Sequence, residues 1–302
     1  MLIQKKIVTN KDNTKNLTEP DFKNLVDVSV SIIENPVTNL GTLKRIAEIL
    51  VQLFRTVSTE TSNDEFFTLI SRFAASTTKN VKLFMLYTLE TFAEFTFNEQ
   101  LLVNHANTFV GYFDKYLRDA DADVKLDAAS SFVTFLSFLE NEEHIAGYKS
   151  AFPMLIEILI EAVKSDEERG LKMINSLDML IKSHPRFVKD SLDKLLDVFT
   201  EMAAEKCLAA SLRIAAMLTI ISIATKNAAT VKKSKVFCDK TLQTFLNILT
   251  EQPDDVVEWL KSEDNHELST NSVQATAVEN FSRLNEALGP KFMLQKIIKL
   301  AF

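Results

Sequence analysis

The sequence is poor in the residues that mark turns in β-rich folds. Its 302 residues include five glycines and six prolines, whereas a β-sandwich or barrel needs a turn about every 8–12 residues. The scattered glycines match neither a dinucleotide-binding fingerprint nor a phosphate-binding loop. This shortage argues against β architectures and against nucleotide-dependent chemistry.

Cysteine and histidine are also scarce. Cys207 and Cys238 lie 31 residues apart, without the spacing of a metal site, so both are expected to be buried free thiols in a reducing compartment. The four histidines have no partners at metal-ligand spacing. We predict no metal, no cofactor and no catalytic residue, and hence no enzyme.

Long apolar runs and a surplus of basic residues are absent. No apolar run reaches the roughly 20 residues of a membrane span, and the polar start lacks the apolar core of a signal peptide. A soluble, intracellular chain without membrane insertion is therefore expected. Because the net charge is −7 and no basic face is evident, nucleic-acid binding is not expected either.

Helical periodicity runs through most of the chain. One helical stripe is formed by Val188, Leu192, Leu195, Leu196 and Phe199. The segment 212–224 is apolar on nearly all sides, so a helix there must be covered on several sides. Pro153 is expected to kink a helix over 143–164, because proline removes a backbone hydrogen bond.

The helices repeat. An aliphatic residue followed by a base recurs at intervals of 38 to 47 residues, at Leu43-Lys44, Val81-Lys82, Val124-Lys125, Leu171-Lys172 and Leu212-Arg213. Helix pairs with a period of about 40–47 residues are typical of HEAT or armadillo arrays, whose units must stack to complete a core. We predict one all-α, right-handed solenoid of HEAT repeats. The predicted repeats are 18–57, 63–97, 99–139, 143–183, 185–226 and 228–288, with a truncated seventh over 289–302.

One acidic segment interrupts the sixth repeat. Seven acids and one lysine give residues 251–269 a charge of −6, which leaves −1 for the other 283 residues. The predicted partner-binding residues are Asp254, Asp255, Glu258, Trp259, Glu263, Asp264 and Glu267. The acids would attract basic side chains. Trp259 would either anchor the segment between helix pairs or stack on an aliphatic or cationic partner.

Four stretches together carry a family resemblance: NVKLFMLYTLETFAEF, DADVKLDAASSFVTFLSFLENEEHIAGYKSAFPMLIEIL, SLRIAAMLTIISIATKNAATVKK and VVEWLKSEDNHELSTNSVQATAVENFSRLNEALGPKFMLQKI. In this order they resemble repeats of the importin-β superfamily (karyopherin beta), and most of all its importin beta-3 branch. The last stretch is the most specific, because the family also places a Trp-bearing acidic segment before such a helix. The acidic segment here is shorter and less dense than is usual in that family.

The resemblance implies a carrier. It implies an N-terminal or central fragment of a nuclear transport receptor that binds basic cargo, such as proteins with nuclear-localisation signals, histones or ribosomal proteins. It also implies Phe-Gly nucleoporins and the Ran GTPase as partners, with an incomplete Ran site because the first repeats are expected to be missing. Such a receptor shuttles between cytoplasm and nucleus, and we expect a monomer. The alternative is a structural HEAT scaffold without transport activity, which would give no reason for the acidic segment.

Overall fold

The computed structural model describes residues 19–35, 37–56, 60–95, 105–139, 144–251 and 272–301. Within these ranges there are fourteen α-helices and no strand, as the helical periodicity predicts. None of these helices is both long and apolar enough to cross a membrane. The chain forms two compact units, residues 1–158 and 159–302, and each is described by itself.

The first unit is a stack of antiparallel helix pairs. Its helices are α1 (Glu19–Glu34), α2 (Leu40–Thr56), α3 (Glu60–Ala74), α4 (Lys79–Phe95), α5 (Ala106–Leu117) and α6 (Ala122–Ser137). A 3₁₀ segment, His144–Ala151, follows, and α7 (Phe152–Ser165) begins at the end of this unit. Helices α1, α3 and α5 each pack on the helix that follows, which is α2, α4 and α6 respectively. Helix α4 also packs on both α2 and α6. We call α2, α4 and α6 the second helices of unit 1.

Aromatic side chains fill the core between α5, α6 and the 3₁₀ segment. Phe113 and Phe132 lie 4.8 Å apart between ring centroids, and Phe135 lies 5.2 Å from Phe109 and 5.5 Å from Tyr148. All five rings are fully buried. Such tilted pairs contribute about 0.5–1.5 kcal/mol each beyond the burial of apolar area. The surplus of phenylalanine in the sequence therefore serves packing here.

The second unit continues the same pattern. After α7 come α8 (Glu167–Ser183), α9 (Leu192–Ala204), α10 (Ala210–Lys226), α11 (Ala228–Val231), α12 (Leu242–Leu249), α13 (Val273–Leu288) and α14 (Pro290–Ala301). The second helices of this unit are α8, α10 and α13. Helix α10 packs against α8, α9 and α13, which confirms the prediction that the apolar segment 212–224 is covered on several sides.

Close packing in this unit requires a glycine. A Cβ atom on Gly170 of α8 would lie 2.7 Å from Leu212 Cδ2 and 3.1 Å from the backbone Cα of Val163. Real Cβ contacts of 2.7 Å are essentially never seen, so this position accepts a side chain only if the Leu212 side chain shifts and the Val163 backbone gives by a few tenths of an ångström. The glycine thus sets how closely α8 approaches α10.

Two predicted helices are wrong in their extent. Pro153 is the second residue of α7, and the predicted single helix over 143–164 is instead a 3₁₀ segment, His144–Ala151, followed directly by α7. Val188 is fully buried but precedes α9, because a 3₁₀ turn over Lys189–Ser191 separates it from Leu192. Pro185 disfavours a helical conformation for His184, which fits the end of α8 at Ser183.

The predicted sixth repeat does not begin with one continuous helix over residues 228–250. Helix α11 ends at Val231, and a π-helical turn, Val236–Thr241, leads into α12. A π turn widens the helix locally. The turn places the Thr241 hydroxyl 2.8 Å from that of Thr200 on α9, inside the core. Of the two predicted buried thiols, Cys238 is buried but Cys207 is exposed, because Cys207 lies in the turn between α9 and α10.

Candidate functional site

The predicted acidic site lies outside the described residues. This applies to all of its members: Asp254, Asp255, Glu258, Trp259, Glu263, Asp264 and Glu267. Their role therefore stays a prediction. The structure does describe Glu251, the first residue of the segment, and Ser272, which follows the segment, and these show how it is joined to the fold.

The N-terminal flank is held by a buried ion pair. The Arg213 guanidinium donates to both carboxylate oxygens of Glu251, at 2.8 and 2.9 Å, and its Nε donates to the Ala203 carbonyl at 2.9 Å. The side chains are 8% and 12% exposed. Both contacts to Glu251 come from one guanidinium nitrogen, Nη2, while Nε holds the Ala203 carbonyl. Glu251 is thus tied to the first turn of α10.

The C-terminal flank is fixed by a helix cap. Ser272 is the N-cap residue of α13, and its hydroxyl accepts a hydrogen bond from the Ala275 backbone N–H at 3.0 Å. Caps of this kind contribute about 1 kcal/mol to helix stability. Because α13 packs on both α10 and α12, the acidic segment leaves and rejoins the fold beside α10.

The same kind of ion pair occurs in unit 1. Lys82, early in α4, lies 2.5 Å from Asp119, which follows α5. The two residues are 37 positions apart, and Arg213 and Glu251 are 38 apart. Burial opposes ionisation of Asp119, but hydrogen bonds from Lys82 and the Asp121 backbone outweigh it and lower the pKa of Asp119. In both units, a base near the start of a second helix therefore pairs with an acid that follows the opening helix of the next helix pair.

A second set of ion pairs joins α4 to α6. Lys79 Nζ lies 2.9 Å from Asp121 and 2.8 Å from Asp123. Asp121 also caps α6 by accepting from the N–H groups of Asp123 and Val124. The hydrogen bonds to Asp123 and Asp121 raise the pKa of Lys79, so the lysine stays charged in neutral solution. These contacts fix the spacing of consecutive second helices.

An aromatic residue lies on the second-helix surface of unit 1. The Lys44 ammonium of α2 is 4.6 Å from the ring centroid of Tyr87 on α4. The pKa of Tyr87 is raised, mainly by burial and further by the charges of Asp127 and Glu90 and a hydrogen bond with Asp127. Three consecutive second helices contribute to this cluster.

Two helices that open helix pairs in unit 1, α3 and α5, form a groove. It lies between α3 and α5, has a volume of about 500 Å³, and is lined by Phe67, Thr68, Ser71, His105, Thr108 and Tyr112. Phe67 and His105 stack with their ring centroids 4.4 Å apart. The Ser71 and Tyr112 hydroxyls are hydrogen-bonded at 2.8 Å. The groove therefore offers a stacked aromatic floor beside a pair of hydroxyls that are already hydrogen-bonded to each other.

No metal-binding cluster occurs in the part of the chain that the structure describes. No group of three or more His, Cys, Asp or Glu residues is placed there to hold a metal ion. The described surfaces are suited to contacts with other macromolecules, through charge and through aromatic side chains.

Two family models match the chain. The model described as "IPO5-like, TPR repeats" covers residues 38–198, more than half of the chain, and the model "Importin repeat" covers residues 204–295. The chain belongs to the importin-β superfamily. No curated protein sequence matches it.

Solved structures of the karyopherin Kap121p resemble nearly all of this chain. Kap121p bound to Pho4p superposes with a TM-score of 0.75 and 16% identity, over 99% of this chain and 28% of Kap121p. Kap121p bound to Nup53p gives a TM-score of 0.66 and 16% identity, over 94% of this chain and 29% of that one. The chain thus spans a little more than a quarter of the length of Kap121p. At this identity the likeness concerns the fold, and it confirms the predicted all-α solenoid.

Sequence reasoning found one half of each ion pair in this importin and missed the other. The periodic bases Lys82 and Arg213 were predicted as repeat markers, but their acidic partners Asp119 and Glu251 were not assigned. A partial signal was present, because Asp119 precedes the marked base of the next repeat, Lys125, by six residues, whereas no marked base follows Glu251. The groove between α3 and α5 has no such signal.

Proposed function

We propose that this chain is part of a nuclear import receptor that carries basic cargo through the nuclear pore under Ran control. Membership of the importin-β superfamily supports a transport receptor. Basic cargo is proposed because of the distribution of charge: residues 251–269 have a net charge of −6, out of −7 for the whole chain. A concentrated negative field attracts basic partners and speeds their association.

The flanks support this role for the acidic segment. Arg213 already neutralises Glu251, so Glu251 serves attachment, and we assign cargo binding to the six acids beyond it. These are Asp254, Asp255, Glu258, Glu263, Asp264 and Glu267. We propose that Trp259 anchors the segment, since a single large aromatic side chain can bury more area than any other residue type in that segment.

Neutralising four of these acids tests the proposal. The variant replaces Asp254, Asp255, Glu263 and Asp264 by their amides. Each exposed ion pair contributes about 0.5 kcal/mol, so affinity for a basic localisation peptide should fall by about 2 kcal/mol, or about thirty-fold. Binding should also weaken with salt, because exposed charges are screened over about 8 Å at physiological ionic strength.

A scrambled segment is the matched control. Shuffling residues 252–269 keeps the charge but moves Trp259, so affinity should be largely kept if charge acts alone. Affinity that is unchanged after neutralisation would contradict the cargo role. If deletion of 252–269 also left every partner interaction intact, the scaffold alternative would account better for the chain.

We further propose that the groove between α3 and α5 binds Phe-Gly nucleoporin repeats. A structure of Kap121p holds the nucleoporin Nup53p, and this groove has a stacked aromatic floor that suits a phenylalanine ring. Thr108→Arg would fill the groove, whereas Asn107→Arg adds the same charge at the next exposed residue. The first should weaken a Phe-Gly peptide about ten-fold, equal to about 1.4 kcal/mol, and the second should have little effect. Equal effects would contradict the assignment.

Ran control is tested in the full-length receptor. RanGTP is titrated into the complex of the receptor with a labelled basic peptide, and release of the peptide is expected. A fluorescent fusion of the same receptor should distribute between cytoplasm and nucleus. Retention of the peptide at saturating RanGTP would contradict control by Ran while leaving cargo binding in place.

A further inference from the structure

Four exposed lysines of unit 2 lie where α13 ends and α14 begins. Lys232, Lys233 and Lys235 follow α11, and residues 226–238 contain no acid. Lys291 lies in the first turn of α14. We call these four residues the lysine cluster. Lys232 and Lys291 come from distant parts of the sequence, yet both line one cavity of about 380 Å³, so the fold gathers positive charge there.

This cavity has no carboxylate among the described residues that line it. Its remaining lining residues are Leu288, Gly289, Pro290, Phe292 and Gln295. Leu288 is buried and Phe292 is half-buried, so the two lysines lie beside an apolar floor. A smaller cavity next to Lys233, of about 230 Å³, differs because Asp190 and Asp193 line it. The cavity between Lys232 and Lys291 is therefore the one that suits an anion.

The lysine cluster forms no ion pair within the part of the chain that the structure describes. Other bases of unit 2 do pair, as Arg213 does with Glu251. Like charges without a counter-charge repel one another, and an anionic partner removes this repulsion. The lysine cluster is thus a local positive surface on a chain whose net charge is −7.

The floor of the cavity suits a protein segment better than nucleic acid. Single-stranded nucleic acid binds through aromatic rings on which its bases stack. The only aromatic residue that lines this cavity, Phe292, is half-buried, and the Lys296 ammonium lies 5.7 Å from its ring centroid. The net charge of the chain also opposes the approach of a long polyanion. A short acidic peptide needs no stacking surface and contacts the lysines alone.

We infer that the lysine cluster binds an acidic segment of a partner protein, with carboxylates at Lys232 and Lys291 and an apolar side chain on the floor between them. This goes beyond the proposed cargo role, because cargo is basic and this partner is acidic. Helix α13 begins at Ser272, next to the acidic segment, and ends at the cavity; its 16 residues span about 24 Å. An acidic partner can therefore bind while basic cargo is held at the other end of the helix.

Removing the two lysines of the cavity tests the inference. Lys232→Gln with Lys291→Gln is compared with Lys164→Gln with Lys206→Gln, which removes the same charge from exposed lysines of unit 2 that do not line this cavity. The probe is a fluorescent peptide of repeated Glu-Glu-Leu, with Gln-Gln-Leu as the reference, and the dissociation constant is measured for the whole chain. Loss of two exposed ion pairs should weaken binding of the acidic peptide about five-fold. The control should weaken it by less than about two-fold, because distant charges are screened.

Reversing the charge gives a second test. Lys232→Glu with Lys291→Glu should remove the preference for Glu-Glu-Leu over Gln-Gln-Leu. Both side chains are exposed, so the melting temperature should stay at that of the wild type. Affinity for a basic localisation peptide should not fall in any of these variants, which separates this surface from the proposed cargo site.

The inference is overturned if the two glutamine variants bind the acidic peptide equally well, or if the wild type does not prefer it over the reference. It is also overturned if an oligouridine of equal charge binds the wild type more tightly than the peptide does and loses that affinity in Lys232→Gln with Lys291→Gln. In each of these cases the proposed binding of basic cargo stands or falls by its own experiment.

Discussion

The ion pair between Arg213 and Glu251 offers the sharpest prediction about stability. Replacing Glu251 by glutamine keeps the shape of the side chain and removes its charge. Arg213 would keep its hydrogen bond to the Ala203 carbonyl at 2.9 Å and one contact to the new amide oxygen. Its charge would nevertheless remain buried without a counter-charge.

The expected cost follows from burial. Both side chains are at most 12% exposed, and removing one partner of a buried pair costs about 3–5 kcal/mol. Because the amide oxygen still accepts one hydrogen bond, we expect the lower end, about 3 kcal/mol. The matched control is Glu34→Gln, which breaks the pair with Arg72 at 2.9 Å, where the side chains are 52% and 60% exposed. That change should cost less than about 1 kcal/mol.

Hydrogen exchange is the suitable assay, since two compact units need not unfold in one step. Amides in α10, α12 and α13 surround the pair. Their exchange should become about 100-fold faster in Glu251→Gln, because every 1.4 kcal/mol is a factor of ten. Amides in α2 and α4 should be unaffected.

A double substitution checks the physical reason. Arg213→Met with Glu251→Leu replaces the charges by apolar groups of similar volume, and such exchanges are often neutral or stabilising. Protection should return to within about 1 kcal/mol of the wild type. The reasoning is refuted if Glu251→Gln costs no more than Glu34→Gln, or if the double variant is less stable than Glu251→Gln alone.

Three further predictions concern the packing of the helices. The folded-state pKa of Asp119 lies below its ordinary 3.8, so the Asp119 carboxylate contributes to folding stability above about pH 4, and this contribution is lost as pH falls. The difference in urea unfolding free energy between wild type and Asp119→Asn should therefore shrink below that pH. A constant difference would contradict this reasoning. Thr200→Val leaves the buried Thr241 hydroxyl without this partner and should cost about 1–3 kcal/mol in thermal unfolding, whereas Thr200→Val with Thr241→Val should recover most of that loss. Gly170→Ala creates a contact of 2.7 Å and should cost about 1–3 kcal/mol of stability. Its control is Gly111→Ala in α5, where a Cβ meets nothing within 4 Å and which should stabilise by about 1 kcal/mol. Equal shifts in melting temperature would refute the packing argument.

The fold was largely predictable, because helical periodicity and repeated bases are properties of the sequence itself. The choice of ionic partners was not. Asp119, Asp121 and Asp123 lie within five residues, yet Lys82 binds the first and Lys79 binds the other two. Which carboxylate each lysine reaches depends on how α4 packs against α6, and that packing is a tertiary property.

The interruptions of the helices were predicted less well. Val188 fits the apolar period of α9 and is buried, but it precedes the helix, so burial alone does not identify a helical residue. The π turn at 236–241 has no local signal of glycine or proline. Of the candidate sites, charge counting located the acidic segment. The groove of Phe67 and Tyr112 joins residues 45 positions apart and needs the structure.

The attachment of the acidic segment has a consequence for how this family can diversify. Its two ends are held by the pair of Arg213 with Glu251 and by the N-cap Ser272 of α13, so both attachment points lie outside residues 252–271. Doubling the length of a flexible loop costs only about 0.6 kcal/mol. Selection, or an engineer, can therefore lengthen, shorten or recharge residues 252–271 and so retune partner affinity, while the fold that presents them stays the same.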